Sequence, residues 1–287
     1  MIPGLTLENG GLARIVAAPA YGRQNVGHAP GGAADRFAHW SGNVLLGQDR
    51  HAPAVEAVYA PRLCFTHDAS FALTGARRTR ATLQPAGGAP PRPVPHATAV
   101  AAAAGDVLEL GPADTGLRTY LCVRPGPPPA ALIGRARPAF DTVCNTAATD
   151  GVLRVTPGPE LQNLADPEAF FGVPWRLSPT MSDAGVRLEP AATGTTAPVA
   201  DPAEITSGPV ADGTVQLTPA GPLVLLRQRP TLGGYPRIAT VLDVDIDRLA
   251  QHAPGQTVRF REVAPDDAQR LLRQREDDLA ALTRLWG

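Results

Sequence analysis

The chain is 287 residues long, 44% hydrophobic and 18% charged, with a formal net charge of −1. That length allows one large or two medium domains with a substantial core, and the composition is that of a folded chain. The balanced charge excludes a global field that would recruit nucleic acid or an anionic membrane surface.

All 26 basic residues are arginine, which excludes a Schiff-base lysine, a P-loop lysine and a catalytic ammonium group. Alanine and proline are also abundant, and the bias of a GC-rich genome accounts for all three features. Glycine (29) and proline (31) make up about a fifth of the chain, which favours short strands joined by turns over long helices. Cys64, Cys122 and Cys144 form no C-x-x-C pair, and an odd count without metal spacing predicts reduced thiols and a cytoplasmic location. Cys64 and Cys122 sit in apolar runs as small core residues, while Cys144 lies in a more polar loop and is the weak candidate for reactivity. The start of the chain shows neither a basic n-region nor an apolar h-region, and no apolar span reaches 18 residues. Neither a signal peptide nor a membrane helix is expected.

In chain order, residues 12–18 read as a strand. Residues 35–46 read as a helix with Phe37, Trp40, Val44 and Leu45 on one face and Gly47 as its stop. Residues 55–59, 62–66 and 70–74 read as three short strands, with a turn at Gly75. A Pro/Gly-rich connection at 87–95 and a small apolar run at 100–104 follow. Residues 105–111 alternate as a half-buried strand should, and 119–123 form another. The stretch 254–263 repeats the turn, glycine and strand pattern of 105–111, a hint of two related β domains. The boundary falls in 125–151, opened by Gly126-Pro127-Pro128-Pro129, giving domains of 1–135 and 136–287.

In the second half, 152–156 reads as a strand, and Asp166-Pro167-Glu168 caps a brief helix ended by Gly172. Residues 190–202 form a loop, 214–217 and 223–226 are strands, and Asp245 or Asp247 caps a short helix through Ala250. The last helix starts near Pro265, with Asp266 and Asp267 in its first turn. Its stripe of Ala268, Leu271, Leu272, Leu279, Leu282 and Trp286 is expected to cover the body of the protein.

Two glycine turns stand out. Thr231-Leu232-Gly233-Gly234-Tyr235-Pro236 lies between apolar runs and reads as a hairpin loop. Its glycines allow positive φ and a close approach of backbone N–H groups, Tyr235 offers a hydroxyl, and Pro236 fixes the exit. Upstream, Pro30-Gly31-Gly32-Ala33 precedes a helix whose free N–H groups would suit an anion, unless the turn merely starts the helix.

Together with other segments, these turns resemble the carboxyltransferase-domain family. That family includes the C subunit of bacterial 5-oxoprolinase, KipA, the second subunit of allophanate hydrolase and the matching domain of urea carboxylase. The resemblance is carried by Pro30-Gly31-Gly32-Ala33, Asp35-Arg36-Phe37-Ala38 and Asn43-Val44-Leu45-Leu46-Gly47. It continues through Phe71-Ala72-Leu73-Thr74-Gly75-Ala76, Arg154-Val155-Thr156-Pro157-Gly158-Pro159, Trp175-Arg176-Leu177-Ser178-Pro179 and Gly185-Val186-Arg187-Leu188 to the turn at 233–236. The resemblance implies a mainly β protein with short helices: two linked cyclophilin-like β-barrel domains, the second ending in the C-terminal helix. It also implies a sister subunit of similar fold, an amidohydrolase-like third subunit, and chemistry on cyclic or urea-like amides. This chain itself would bind no cofactor; ATP or carboxybiotin would arrive through partner subunits.

The sequence departs from the family in a patterned way. Val16-Ala17-Ala18-Pro19-Ala20 replaces a usual Gln-Asp-x-Gly-Arg, and Asn25 replaces a frequent histidine. Met181-Ser182-Asp183-Ala184-Gly185 and Gln228-Arg229-Pro230-Thr231-Leu232 replace more polar runs, and a Gly-rich segment is shortened around 133–149. Shape-setting residues survive while ionisable ones are lost, the pattern of a pocket made less polar as a unit.

The expected catalytic residues are His28, Tyr235 and Arg229; the expected substrate-binding residues are Asn25, Gly31, Gly32, Arg187, Gln216, Thr231, Gly233 and Gly234. Arg187 and Arg229 keep family positions and either clamp a carboxylate or serve structure. The Gln216 amide either meets a lactam edge or faces its ladder. His28 is the nearest new general base or a solvated side chain, and Asp183 is a weaker candidate. The other histidines show no ligand spacing, so no metal is expected. No Gly-x-Ser-x-Gly elbow or phosphate loop is present.

Three readings remain. The first is a diverged protein, similar to the 5-oxoprolinase C subunit, that acts on or binds a small cyclic amide or urea-like compound. It would work with a sister subunit, as part of an ATP-dependent lactam hydrolase or carboxyltransferase. The second is a non-catalytic regulatory subunit of KipA type. The third is a repurposed biosynthetic enzyme with a less polar pocket and no ATP or biotin.

Overall fold

The computed structural model describes residues 4–9, 11–59, 61–127, 150–192 and 204–284. Cys144, Trp286, most of the 190–202 loop, and the expected boundary at 135/136 lie outside them. The chain divides into two compact units: Met1–Ala18, Asp35–Ala148 and Arg275–Gly287 in one, and Pro19–Ala34 and Thr149–Gln274 in the other. The described residues are mostly β, with four α-helices, and no helix among them is long and apolar enough to cross a membrane.

The first unit holds β1 (Leu5–Asn9), β2 (Ala13–Val16), α1 (Arg36–Leu45), β3 (Ala54–Ala57), β4 (Arg62–Phe65) and β5 (Ala69–Arg77). It continues with β6 (Thr82–Gln84), β7 (Arg92–Pro93), β8 (Val100–Ala102), β9 (Val107–Glu109) and β10 (Thr115–Pro125). Two five-stranded sheets form, in the orders β1-β4-β9-β6-β7 and β2-β3-β10-β5-β8. Their inner faces share one core that includes Leu63, Phe65, Phe71, Leu83, Leu108 and Leu121.

The turn expected at Gly75 is absent, because β5 runs on to Arg77. Gly75 instead has φ 78°, at a register shift where Thr119 pairs with Gly75 and Thr115 with Arg77. Residues 116–118 of β10 oppose Ala76 alone there, so the bulge lies on β10 and β5 passes it without ending.

Helix α1 begins and ends as its sequence predicts: the Asp35 carboxylate accepts the Ala38 N–H at 2.9 Å, and Gly47 follows with φ 64°. The expected single apolar face is corrected, because every residue of α1 is buried. Three of its polar side chains bond the backbone. Ser41 donates to the Ala38 carbonyl, and Asn43 donates to the carbonyls of Arg50 and Ala52. His39 Nε2 donates to Ala52 O at 2.7 Å.

Burial lowers the His39 pKa from its ordinary 6.5, and the bond to Ala52 only partly opposes this. The unfolded chain therefore takes up the proton first, so the contribution of His39 is present above about pH 6.5 and is lost as the pH falls below it. Thermal unfolding followed from about pH 8 to pH 5 is expected to show a falling midpoint below about 6.5. A midpoint that stays flat across that range would contradict the assignment.

A buried polar chain ties α1 to the sheet. The Tyr120 hydroxyl accepts the Asp35 N–H at 2.8 Å and donates to Glu56 Oε2 at 2.8 Å. Glu56 also meets Arg14 at 2.9 Å and Arg118 at 3.7 Å. Tyr120→Phe keeps the ring and removes both bonds, so urea unfolding is expected to show a loss of about 1–3 kcal/mol. A loss below about 0.5 kcal/mol would mean that the hydroxyl is not a bridge.

The second unit holds β11 (Val152–Pro157), α2 (Pro167–Gly172), β12 (Trp175–Leu177), β13 (Gly185–Pro190), β14 (Gly208–Pro209), β15 (Thr214–Thr218) and β16 (Gly221–Leu225). After these come β17 (Leu232–Gly233), β18 (Arg237–Val241), α3 (Asp243–Leu249), β19 (Thr257–Glu262) and α4 (Pro265–Arg284), whose segment from Arg275 belongs to the first unit. Seven strands close into a barrel in the order β11-β18-β15-β16-β13-β12-β19, sealed by a parallel β11–β19 pair. Its interior includes Val155, Val186, Val215, Leu217, Val224, Ile238 and Val258. Phe170 of α2 stacks on Phe260 at 5.7 Å and receives the Trp175 indole N–H at its carbonyl, 3.1 Å away.

Two expectations are corrected here. Neither Asp245 nor Asp247 caps α3; the N-cap is Leu242, with no side-chain bond. Asp245 is drawn instead to the Arg154 N–H and guanidinium, and Asp247 to Arg227. The stretch 230–236 is not a simple hairpin, since β16 and β18 border opposite edges of β15. The chain between them crosses over β15.

Candidate functional site

Strand alternation decides which side chains leave the barrel core. Val186, Val224 and Val215 pair across β13, β16 and β15 and point inward. One residue along, Arg187 lies opposite Leu223, and Leu223 lies opposite Gln216. With a side-chain period of two, this second row faces outward. The segment 230–236 lies over it as a strap, held where β17 pairs with β14 and where Ile205 N–H and Leu217 N–H bond the carbonyls of Gly234 and Pro236. This cover leaves every residue of β15 buried.

Between the row and its strap lies a cavity of about 460 Å³. Arg187, Gln216, Leu223 and Leu225 line its floor; Gly233, Gly234 and Tyr235 line the strap side. Thr180 and Ser182 contribute hydroxyls from the loop before β13.

Of the two properties expected of the glycines at 233 and 234, positive φ is corrected and close approach is kept. Neither has positive φ. They are there for closeness: a Cβ on Gly233 would lie 2.3 Å from Gln216 Nε2, and one on Gly234 would lie 3.1 Å from Ser207 Oγ. Any side chain at 233 would push the amide out of place.

The polar groups of the floor are not saturated. Gln216 is only 3% exposed, yet its Nε2 makes one long bond, 3.4 Å, to the Tyr235 carbonyl. Its carbonyl oxygen takes no hydrogen bond from the described residues. Arg187 donates from Nη1 to Thr218 Oγ1 at 2.8 Å and meets no carboxylate among the described residues. A guanidinium and a primary amide thus share one cavity with bonding capacity to spare.

The other retained arginine behaves differently. Arg229 is buried, its Nε on Asp212 Oδ1 at 2.9 Å and its Nη1 on the Pro230 carbonyl at 3.1 Å. Next to it, Arg227 is 1% exposed and reaches Asp212 at 3.1 Å, Asp247 at 2.9 Å and Asp243. Burial alone would lower the Arg227 pKa; the carboxylates of Asp247, Asp243 and Asp212 more than offset this and hold it above its ordinary value. Both arginines serve as internal fasteners.

The upstream glycine turn also lies in this unit. Gly31 and Gly32 do have positive φ, 67° and 88°. Gly31 N–H bonds the Arg227 carbonyl at 3.2 Å, and a Cβ there would meet Gln228 Nε2 at 3.1 Å. The turn thus packs on the chain between Leu225 and Pro230, two residues that line the cavity. Gly31 and Gly32 do not line it themselves, and the Ala38 N–H of α1 is already taken by Asp35.

Of the expected residues, the structure brings together Arg187, Gln216, Gly233, Gly234 and Tyr235. Thr231 is half-buried, and its carbonyl is used by Val210 N–H. His28 and Asn25 are exposed on and after a 3-10 turn at Gln24–Val26, away from the lining. Thr180, Ser182, Leu223 and Leu225 were not expected. The alternation of β16 was the available signal for the leucines, but it identifies no site without the β13–β16–β15 register. No cluster of three or more His, Cys, Asp and Glu among the described residues is disposed to hold a metal ion.

The carboxyltransferase domain, subdomain A and B, matches residues 26–136 and 129–262. The chain belongs to the carboxyltransferase-domain family. Within it, the 5-oxoprolinase C subunit of Haemophilus influenzae is 29% identical over 297 residues, covering 92% of this chain and 93% of its own. The Escherichia coli 5-oxoprolinase C subunit is 30% identical over 279 residues, 86% of each chain. The crystal structure of the K. lactis urea amidolyase covers 97% of this chain with a TM-score of 0.80 at 19% identity, a likeness of fold alone. This carboxyltransferase-family chain spans 20% of that much longer protein.

Proposed function

We propose that this chain is a diverged relative of the 5-oxoprolinase C subunit that binds a small cyclic amide in the cavity beneath the 230–236 strap. One observation carries the reading: an Arg187 guanidinium that meets no carboxylate among the described residues shares that cavity with an undersaturated Gln216 amide. The amide offers a donor and an acceptor to the N–H and C=O edge of a lactam or ureide. The guanidinium offers a paired hold on a carboxylate. Tyr235 and the hydroxyls of Thr180 and Ser182 complete the polar side.

The lining holds no carboxylate or imidazole among the described residues. In this reading the chain binds and orients, and a sister subunit, with an amidohydrolase-like third subunit where one exists, brings ATP or carboxybiotin and the groups that move protons. The naming of the two bacterial relatives as subunits supports such an assembly. The test is turnover of 5-oxoproline, urea and hydantoin with ATP, with and without the co-encoded sister subunit. Lactam opening only when both chains are present is expected. If none of the three is turned over with both chains present, the catalytic reading fails.

The same lining favours one alternative, a non-catalytic regulatory subunit. Saturable binding of 5-oxoproline without turnover, together with a changed activity of the sister subunit, is the outcome that selects it.

A further inference from the structure

The cavity has a second chemical side that its polar groups do not explain. Leu223 stands directly between Arg187 and Gln216 in the strand register, so the middle of the floor is apolar. Leu225, two residues on and opposite Gly185, continues that ridge on the same face. Pro230 and Leu232 face it from the strap, and Leu232 is 58% exposed. A leucine at the rim of a polar cavity gains nothing from water and gains contact when a ligand covers it.

Size points the same way. 5-Oxoproline has nine heavy atoms, and even at liquid water's loose share of roughly 30 Å³ each they would leave more than a third of the 460 Å³ unfilled. An unfilled apolar wall forfeits its contacts. A ligand that reaches both Arg187 and Gln216 must also pass over Leu223, so an apolar part of that ligand would lie against the ridge.

We propose that the site selects a cyclic amide bearing both an anionic group and an apolar substituent of about butyl or benzyl size, seated on Leu223, Leu225 and Leu232. The inference rests on the cyclic-amide reading above and names the substrate class within it. Arg187 holds the anion, Gln216 the amide edge, and Leu223 is the specificity-determining residue that separates this ligand from the unsubstituted lactam acid.

Calorimetric titration of the full chain with 5-oxoproline and with a ring-benzylated 5-oxoproline tests it. The benzylated compound is expected to bind at least tenfold more tightly, because single methylenes in apolar pockets already discriminate by about that factor. In Leu223→Asn, of similar size, the ratio between the two ligands is expected to fall at least fivefold. Equal or tighter binding of the parent, or an unchanged ratio in Leu223→Asn, overturns the inference and leaves the cyclic-amide reading standing. Failure of both compounds to bind overturns the two together.

Discussion

Arg227→Met is expected to destabilise the protein by about 3–5 kcal/mol, more than any other side-chain change proposed for this chain. The arginine is 1% exposed and serves Asp212, Asp243 and Asp247 at once, with Asp247 equally buried. Methionine fills much the same space, so the loss measures charge rather than volume. Removing the cation leaves carboxylates gathered with little water to screen them, which costs far more than the intact pair contributes. Arg227→Lys keeps a charge but not the fork that spans three partners, so an intermediate loss is expected. The exposed Arg176–Glu189 pair is the internal control, where Arg176→Met is expected to cost less than about 1 kcal/mol. Chemical denaturation of the three variants checks the order. Equal losses for Arg227→Met and Arg176→Met would show that the buried knot does not fasten the barrel.

Arg187→Ala is expected to weaken binding of 5-oxoproline by about 10- to 150-fold while changing stability little. That range is a charge-assisted hydrogen bond of about 1.5–3 kcal/mol converted to affinity. In the protein, Arg187 holds only Thr218, so its loss strands no buried carboxylate among the described residues. Gly233→Ala is expected to weaken binding comparably by another route. Its Cβ would sit 2.3 Å from Gln216 Nε2 and displace the amide that reads the ring. Titration calorimetry on the two variants, with unfolding midpoints measured alongside, separates loss of a contact from loss of the fold. Undiminished affinity in Arg187→Ala would remove the anion-binding role.

Local order was legible where a few neighbouring residues decide it. Asp35 and Gly47 bracket α1, and Asp166 caps α2 with its carboxylate on Ala169 N–H, as the spacing predicts. What failed was the local reading of residues whose conformation answers to distant partners. Gly75 resembles a turn until its pairing with Thr119 keeps it inside β5, which runs on to Arg77. Asp245 resembles a cap until Arg154, 91 residues earlier, takes it.

The candidate site divides along the same line. Arg187 and Arg229 were indistinguishable as motif residues; Asp212 occupies one and leaves the other. The turn at 233–236 was legible as important and its close approach was expected, but the glycines need no positive φ; they give clearance above Gln216. Leu223 carried only the alternation of its strand, because its place between Arg187 and Gln216 depends on the register of three strands.

A crystal structure of the protein grown with saturating 5-oxoproline tests the account most directly. Ligand density beneath the 230–236 strap is predicted, with the carboxylate on Arg187 and the lactam edge on Gln216. An empty cavity, or a ligand seated elsewhere on the chain, would contradict it.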